Sequence, residues 1–255
     1  MVKIIAFANQ KGGVGKTTTA INIGASLAAV KKTVLLIDLD PQGNAGTGLG
    51  FVRSHAPESI YKIIMGHEPI QKNILTTTVK GMHIIPSSQQ LAGAEVELLD
   101  LENREFRLKS ALEAITNNYD YILIDCPPAM GYLTINALVA ATNLIIPLQC
   151  EFLALEGLSQ MTKSVNLIKQ KWNKDLNLMG ILLTMYDKRN NLSKAIEEDV
   201  RKNYEKTVFL TIIPRNVRAS EAPSHGKPIL FYDFHSSTAQ AYLKLATEIV
   251  EKTAK

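Results

Sequence analysis

One stretch near the N-terminus, Gln10-Lys11-Gly12-Gly13-Val14-Gly15-Lys16-Thr17-Thr18, limits what this chain can fold into more than any other. The apolar run Ile4 to Ala8 precedes it and reads as a buried strand. Thr19 to Val30 follows, rich in Ala, Ile and Leu at helical spacing. Strand, glycine-rich turn and helix together are the setting of a phosphate-binding loop. The backbone N–H groups of Gly12, Gly13, Val14 and Gly15 can turn inward on an anion, and the helix N-terminus adds its positive dipole end. Lys16 is placed to reach the outer phosphates, and the Thr17 hydroxyl to ligate magnesium.

The general pattern G-x-x-x-x-G-K-[ST] is incomplete, because Gln10 stands where the first glycine belongs and a second lysine, Lys11, follows it. Two later strands carry acidic ends. Thr33 to Asp38 is a nearly continuous apolar run of the kind buried on both faces of a parallel sheet. Period-two alternation puts Asp38 and Asp40 on one side at its carboxyl end, the edge where open α/β sheets place ligands. Pro41 stops that strand. Tyr121 to Asp125 is the second apolar strand, and Asp125 has the form of an aspartate that holds magnesium through water.

The remainder alternates strands and helices. Residues 44–80 are weakly patterned: Gly46, Gly48 and Gly50 predict a mobile loop, Ser59 to Met65 a short helix, and Thr76 to Val79 a strand. Met82 to Pro86, Leu144 to Leu148, Leu178 to Thr184 and Val208 to Ile213 read as strands. Leu91 to Leu101, Arg107 to Ile115, Leu133 to Ala141, Leu155 to Lys171, Leu192 to Tyr204 and Thr238 to Val250 read as helices. This predicts an α/β fold, a doubly wound and mostly parallel sheet with helices on both faces. No Pro/Gly/Ser linker divides the 255 residues, so one domain over 1–255 is expected.

Composition narrows the function classes. Hydrophobic content of 46% with 20% charged residues is ordinary for a globular protein, and a net charge of +4 permits an anionic partner without requiring one. Cys126 and Cys150 give neither a disulfide framework nor metal-site spacing, and the five histidines are dispersed. No secretory leader or membrane-spanning stretch is visible, so a cytoplasmic location is expected.

The loop with its extra lysine resembles the deviant Walker A loop of the ParA/MinD group of ATPases. The resemblance extends to the chromosomal ParA (Soj) type through NQKGGVGKTTTAIN at 9–22, LLIDLDPQGNA at 35–45, LAGAEVEL at 91–98 and YDYILIDCPP at 119–128. It continues with LTINAL at 133–138, PLQCEFLALEGL at 147–158, LLTMYDKR at 182–189 and IPRNVRASEAPSHGKPI at 213–229. The resemblance implies an ATP- and magnesium-dependent sandwich dimer in which Lys11 crosses to the partner's phosphates and Gly12 lies at the close approach. It implies that Asp40 positions the attacking water, that Asp38 joins Thr17 and Asp125 around magnesium, and that Thr18 is a further phosphate contact. It assigns adenine recognition to Met185, Asp187, Pro214 and Asn216, and non-specific double-stranded DNA binding to Arg189 and Arg218. A ParB-type protein would stimulate hydrolysis and release the nucleoid-associated dimer.

A membrane-surface ATPase of the MinD kind is the competing expectation, since Tyr242, Leu243, Ala246, Ile249 and Val250 form an apolar stripe. So short a stripe more often packs on its own domain, and no stable membrane association is expected. An iron–sulfur reductase has too few cysteines, a tyrosine kinase of this loop class lacks its tyrosine-rich tail, and a small-molecule kinase or ligase leaves Arg189 and Arg218 unexplained.

Overall fold

The structure, a computed structural model, describes residues 2–51 and 59–254. Its centre is a seven-stranded sheet of β1 (Lys3–Phe7), β2 (Val34–Asp38), β3 (Leu75–Thr76), β4 (Met82–Ile85), β5 (Tyr121–Asp125), β6 (Asn143–Gln149) and β7 (Asn177–Thr184). The spatial order is β3-β4-β2-β5-β1-β6-β7, and only the edge pair β3/β4 is antiparallel. The mostly parallel sheet expected from the alternating pattern is therefore present. β2 and β5 are buried at every position, as their unbroken apolar sequences require.

Alternation along the strands feeds two cores. Ile5, Phe7, Leu36, Leu123 and Ile145 face α1 (Lys16–Ala29), α2 (Asn44–Gly48), α10 (Ile229–Tyr232) and α11 (Ser237–Ala254). Ile4, Ala6, Leu35, Ile37, Ile122, Ile124 and Ile146 face α3 (Ile60–Met65), α4 (Leu91–Glu97), α5 (Arg107–Leu112), α6 (Tyr132–Ala140), α7 (Ala154–Lys171) and α8 (Asn191–Tyr204). The remaining short helix, α9 (Val217–Glu221), buries none of its residues.

Strand register positions the functional groups. Phe7 pairs with Asp125, and Asp38 pairs with Asp125 across β2 and β5. Three strand ends are thereby level at the sheet's carboxyl edge, so the loop after β1 and the two aspartates meet there.

Two expectations need correction. Residues 44–48 form the short helix α2 and not a mobile loop: the Asp38 carboxylate accepts the Gly46 N–H at 3.0 Å and anchors its first turn. A Cβ at Gly48 would come within 2.7 Å of the Ile21 side chain, so this glycine serves close packing. Residues 52–58 of that stretch lie outside the described residues.

The strand expected at Val208 to Ile213 is interrupted. It touches β7 through the isolated bridges Ile181–Val208 and, just beyond it, Tyr186–Pro214. Phe209 N–H donates to the Ile181 carbonyl and Ile213 N–H to the Leu183 carbonyl. Between them, Leu210 and Thr211 turn their N–H groups onto the Glu248 carboxylate of α11, at 3.0 and 3.1 Å, which breaks the ladder. The fully buried Phe209 ring packs where a Cβ of Gly180 would be. Gly180→Ala is expected to lower stability by about 1–3 kcal/mol through overpacking. Denaturant midpoints of the two proteins check this.

Candidate nucleotide-binding site

The loop after β1 is pinned from both sides. Asn9 Nδ2 donates to the Pro147 carbonyl at 2.7 Å, and its Oδ1 accepts the Lys11 N–H at 3.0 Å. Gln10, at the position of the missing glycine, donates to the Ser164 hydroxyl of α7 at 3.2 Å. Thr184 Oγ1, at the end of β7, donates to the Val14 carbonyl at 2.8 Å. Gly13 and Gly15 take positive φ values of 75° and 88°, which L side chains tolerate poorly. Gly15 caps α1 without any side-chain acceptor, and the first turn of α1 contains no acidic residue. Its N–H groups are left for an anion. Thr18 stands in that turn, its carbonyl accepting Asn22 Nδ2 at 2.8 Å.

Lys16 is nearly buried, and its Nζ donates to the Lys11 carbonyl at 3.1 Å. Burial lowers its pKa, opposed by Asp125, Cys126 and Asp40 around it. Asp40 is 7% exposed and accepts the Gln42 N–H at 2.9 Å. Asp38 is fully buried and accepts N–H groups from Gly46 and, at 3.3 Å, from Asp40. Desolvation pushes its pKa up to about 7 against the pull of those bonds.

Asp125 is the exceptional group. It is fully buried, and neither carboxylate oxygen has a hydrogen-bond partner among the described residues. Burial, and after it the Asp38 charge, raises its pKa well above the carboxylate range. The Thr17 hydroxyl opposes that shift without reaching hydrogen-bond geometry. A buried, unpartnered carboxylate beside a second one is costly unless a proton or a cation compensates. The donors are hard oxygens, which fits magnesium. Among the described residues no three His, Cys, Asp or Glu side chains converge tightly enough to hold a metal by themselves. A cation here would complete its shell with water and phosphate oxygens, as magnesium commonly does.

The remaining expected residues separate into three places. Lys11 turns out of the loop, and its Nζ pairs with Glu151 Oε2 at 2.9 Å. Asp187, Arg189, Pro214 and Asn216 line one cleft of about 1090 Å³ beyond β7, together with Lys188, Arg215 and Lys244. Met185 is not among the residues lining that cleft; it follows β7 in a left-handed conformation, φ 48°. Arg218 is apart from the cleft, on α9, paired with Glu221 at 3.0 Å and Asp233 at 3.5 Å. Arg189 is itself paired with Asp187 at 2.9 Å, which holds the Asp187 carboxyl down at about 2. Both arginines offered to DNA thus carry a local counter-charge. Sequence reasoning passed over Glu151, Thr184 and the basic residues Lys188, Arg215 and Lys244. Lys188 and Arg215 flank positions it did name, but nothing in Lys244 on α11 or in a glutamate just past β6 marks them in the sequence.

Known proteins are similar to this chain along nearly its whole length. The family model described as an AAA domain matches residues 2–178. The sporulation initiation inhibitor protein Soj of Bacillus subtilis is 54% identical over 98% of this chain and 98% of its own. The chromosome partitioning protein ParA of Myxococcus xanthus is 51% identical over 98% of this chain and 88% of its own. Among solved structures, cobyrinic acid a,c-diamide synthase of Mycobacterium smegmatis with bound ADP and magnesium superposes with a TM-score of 0.89 at 38% identity, covering 100% of this chain and 96% of that one.

The carboxylate cluster makes a pH prediction. Asp38 and Asp125 have raised pKa values in the folded state, so folding takes up protons. Without nucleotide and metal, the contribution of this pair to stability is full below about pH 4 and falls as pH rises to about 7. Asp125→Asn is expected to flatten that fall and raise the melting temperature at pH 8 by several degrees. It is also expected to lose the extra stabilisation that magnesium adds to nucleotide in the wild type. Melting curves from pH 5 to 8, with and without magnesium nucleotide, check both.

Proposed function

The chain belongs to the ParA/Soj family of chromosome-partitioning ATPases, and we propose that it works as a nucleotide-controlled, DNA-bound homodimer. The observation that carries the reading is the unpartnered Asp125 carboxylate beneath the glycine loop, in a chain that Soj matches from end to end. One structural relative carries the name of a synthase, but the curated relatives named for partitioning are more similar in sequence.

In this reading the N–H groups of Gly12, Gly13, Val14 and Gly15 and the first turn of α1, including Thr18, hold the phosphates of ATP. Lys16 neutralises the outer phosphates from its buried position. Thr17, Asp125 and Asp38 hold magnesium, which supplies charge neutralisation on the transferring phosphate. Asp38 already accepts two N–H groups, which orient its carboxylate at the strand end beside Asp125. Asp40 accepts a hydrogen bond from the attacking water and orients it. Asp187, Pro214 and Asn216 form the walls of the adenine cleft, with Met185 at its β7 side. Lys11 serves the second subunit, where it meets charge building on the transferred group.

DNA binding follows from paired basic surfaces. Arg189 and Arg218 exchange their carboxylate partners for phosphates, and two weak sites on one dimer reinforce each other. A ParB-type protein stimulates hydrolysis and so releases the dimer, which gives the chain its nucleoid association. The membrane-surface reading has less support. Of the stripe, Tyr242, Ala246 and Ile249 are buried in the chain's own core, Val250 packs against it and Leu243 is half-buried, and no helix among the described residues is long and apolar enough to cross a membrane.

Three measurements test this reading. Asp40→Ala is expected to reduce hydrolysis at least about a hundredfold while leaving an ATP-dependent dimer; retained turnover removes Asp40 from its role. The wild type is expected to bind random duplex DNA only with ATP and with steep salt dependence, and to ignore anionic lipid vesicles. Preference for vesicles overturns the reading. Arg218→Glu is expected to weaken binding on every sequence alike and reduce the salt slope by about 1 or more.

A further inference from the structure

Asn22, buried on α1, bonds to a residue 207 positions away in the chain. Its Nδ2 donates to the Thr18 carbonyl at 2.8 Å, and its Oδ1 accepts the N–H of Ile229, the first residue of α10, at 2.7 Å. A buried amide satisfied at both ends ties its two partners together, because separating them leaves polar groups unpaired. α10 is only four residues long, so the bond to its first N–H sets where the whole helix stands. The other end of the link is the turn of α1 that the nucleotide reading places on the phosphates.

A second contact leaves the carboxylate edge for the same region. The Asp38 carboxylate holds the Gly46 N–H of α2, and at the end of α2 a Cβ on Gly48 would lie 3.7 Å from Pro223. Just beyond, Gly50 and Gly226 meet backbone to backbone. A Cβ on Gly226 would fall 2.8 Å from the Gly50 Cα and 3.1 Å from its nitrogen, and both residues have positive φ. Only glycine permits that approach. Both contacts thus arrive on residues 222–232, and this stretch holds Arg218. One Glu221 oxygen accepts Arg218 at 3.0 Å and the Tyr232 hydroxyl at 3.2 Å. The Tyr232 ring stacks on His225 at 4.9 Å, and its centroid is 5.8 Å from the Arg218 guanidinium. Asp233, the next residue, pairs with Arg218 at 3.5 Å.

We propose that residues 222–232 carry the state of the nucleotide site to Arg218, with Asn22 and Tyr232 as the positioning residues at the two ends of the path. The proposal rests on the DNA reading of Arg218 and adds what controls that side chain. Arg218 reaches a DNA phosphate only by leaving Glu221 and Asp233. The Tyr232 hydroxyl competes with it for the same Glu221 oxygen, so the place of α10 sets how firmly Glu221 keeps the arginine. Phosphates on the first turn of α1 act on Thr18, through Asn22 on α10, and so on Tyr232. Magnesium at the carboxylates acts through α2 on the Gly50–Gly226 contact. Each site then biases the other, because a coupling free energy belongs to both.

Equilibrium binding of the full chain to random duplex DNA, with and without magnesium and a non-hydrolysable ATP analogue, tests it. In the wild type the analogue is expected to raise DNA affinity, and DNA in turn to raise analogue affinity. Tyr232→Phe, which removes only a hydroxyl, and Asn22→Ala are each expected to cut both gains by about threefold to tenfold. Analogue affinity without DNA, and the dimer seen by sedimentation, are expected to stay within about twofold of wild type. The double variant is expected to lose little more than the larger single loss, because both changes interrupt one path. Unchanged gains in Tyr232→Phe overturn the path, whether or not Asn22→Ala folds. So do losses that simply add in the double variant, or that a weakened dimer accounts for. A wild-type chain that binds the analogue and leaves DNA unbound overturns the DNA reading itself, and the path with it. One that binds DNA equally well without the analogue overturns the control by nucleotide.

Discussion

Asp38 and Asp125 stand in register on neighbouring parallel strands, and the rest of the site is arranged around that juxtaposition. Adjacent strands are about 4.8 Å apart. At that spacing, with an effective dielectric near 20, two charges repel by roughly 3 kcal/mol before desolvation is counted. The N–H groups of Gly46 and Asp40 offset part of this for Asp38, but Asp125 has no such relief. The sheet cannot avoid the conflict by slipping, because a one-residue shift would exchange the side chains that β2 and β5 send into the two cores. The strain therefore persists until a proton or a cation resolves it. That makes the edge responsive to magnesium and to the phosphates that accompany it.

The loop shows the opposite economy: its charge is positive and its acceptors are already spent. Asn9, Gln10 and Thr184 fix its backbone to β6, α7 and β7, so the N–H groups are held in place before any anion arrives. Preorganised dipoles of this kind need no rearrangement when charge develops nearby. Lys16 lies between the two regimes, buried among the aspartates and resting on a loop carbonyl. It links an edge that repels negative charge to a cradle that attracts it. Nucleotide and magnesium suit this pairing better than either does alone.

Much of this was legible in the sequence, for identifiable reasons. The central strands are unbroken apolar runs, and a glycine loop between a strand and a helix has few other meanings. What was not legible depends on partners far away in the chain. Nothing in Val208 to Ile213 reveals that Glu248 of α11 will take the N–H groups of Leu210 and Thr211. Gly48 reads as looseness until Ile21 is seen against it. Lys11 and Glu151 are 140 residues apart. The counter-charges on Arg189 and Arg218 were within sight, since Asp187 is two residues away and Glu221 is three. There the family likeness directed attention to the arginines and away from their neighbours.

The strength of the Lys11–Glu151 contact decides what kind of switch it can be. Both side chains are nearly half exposed, and an exposed ion pair contributes at most about 1 kcal/mol. That biases an equilibrium by roughly fivefold and cannot lock it. An outer phosphate offers Lys11 a charge-assisted bond, which is the stronger contact. The outcome then turns on whether an outer phosphate is present, since a ligand shifts an equilibrium only by its differential affinity for the two states. No movement of the sheet is required. A single lysine side chain changing partners is enough to make this contact follow the state of the nucleotide.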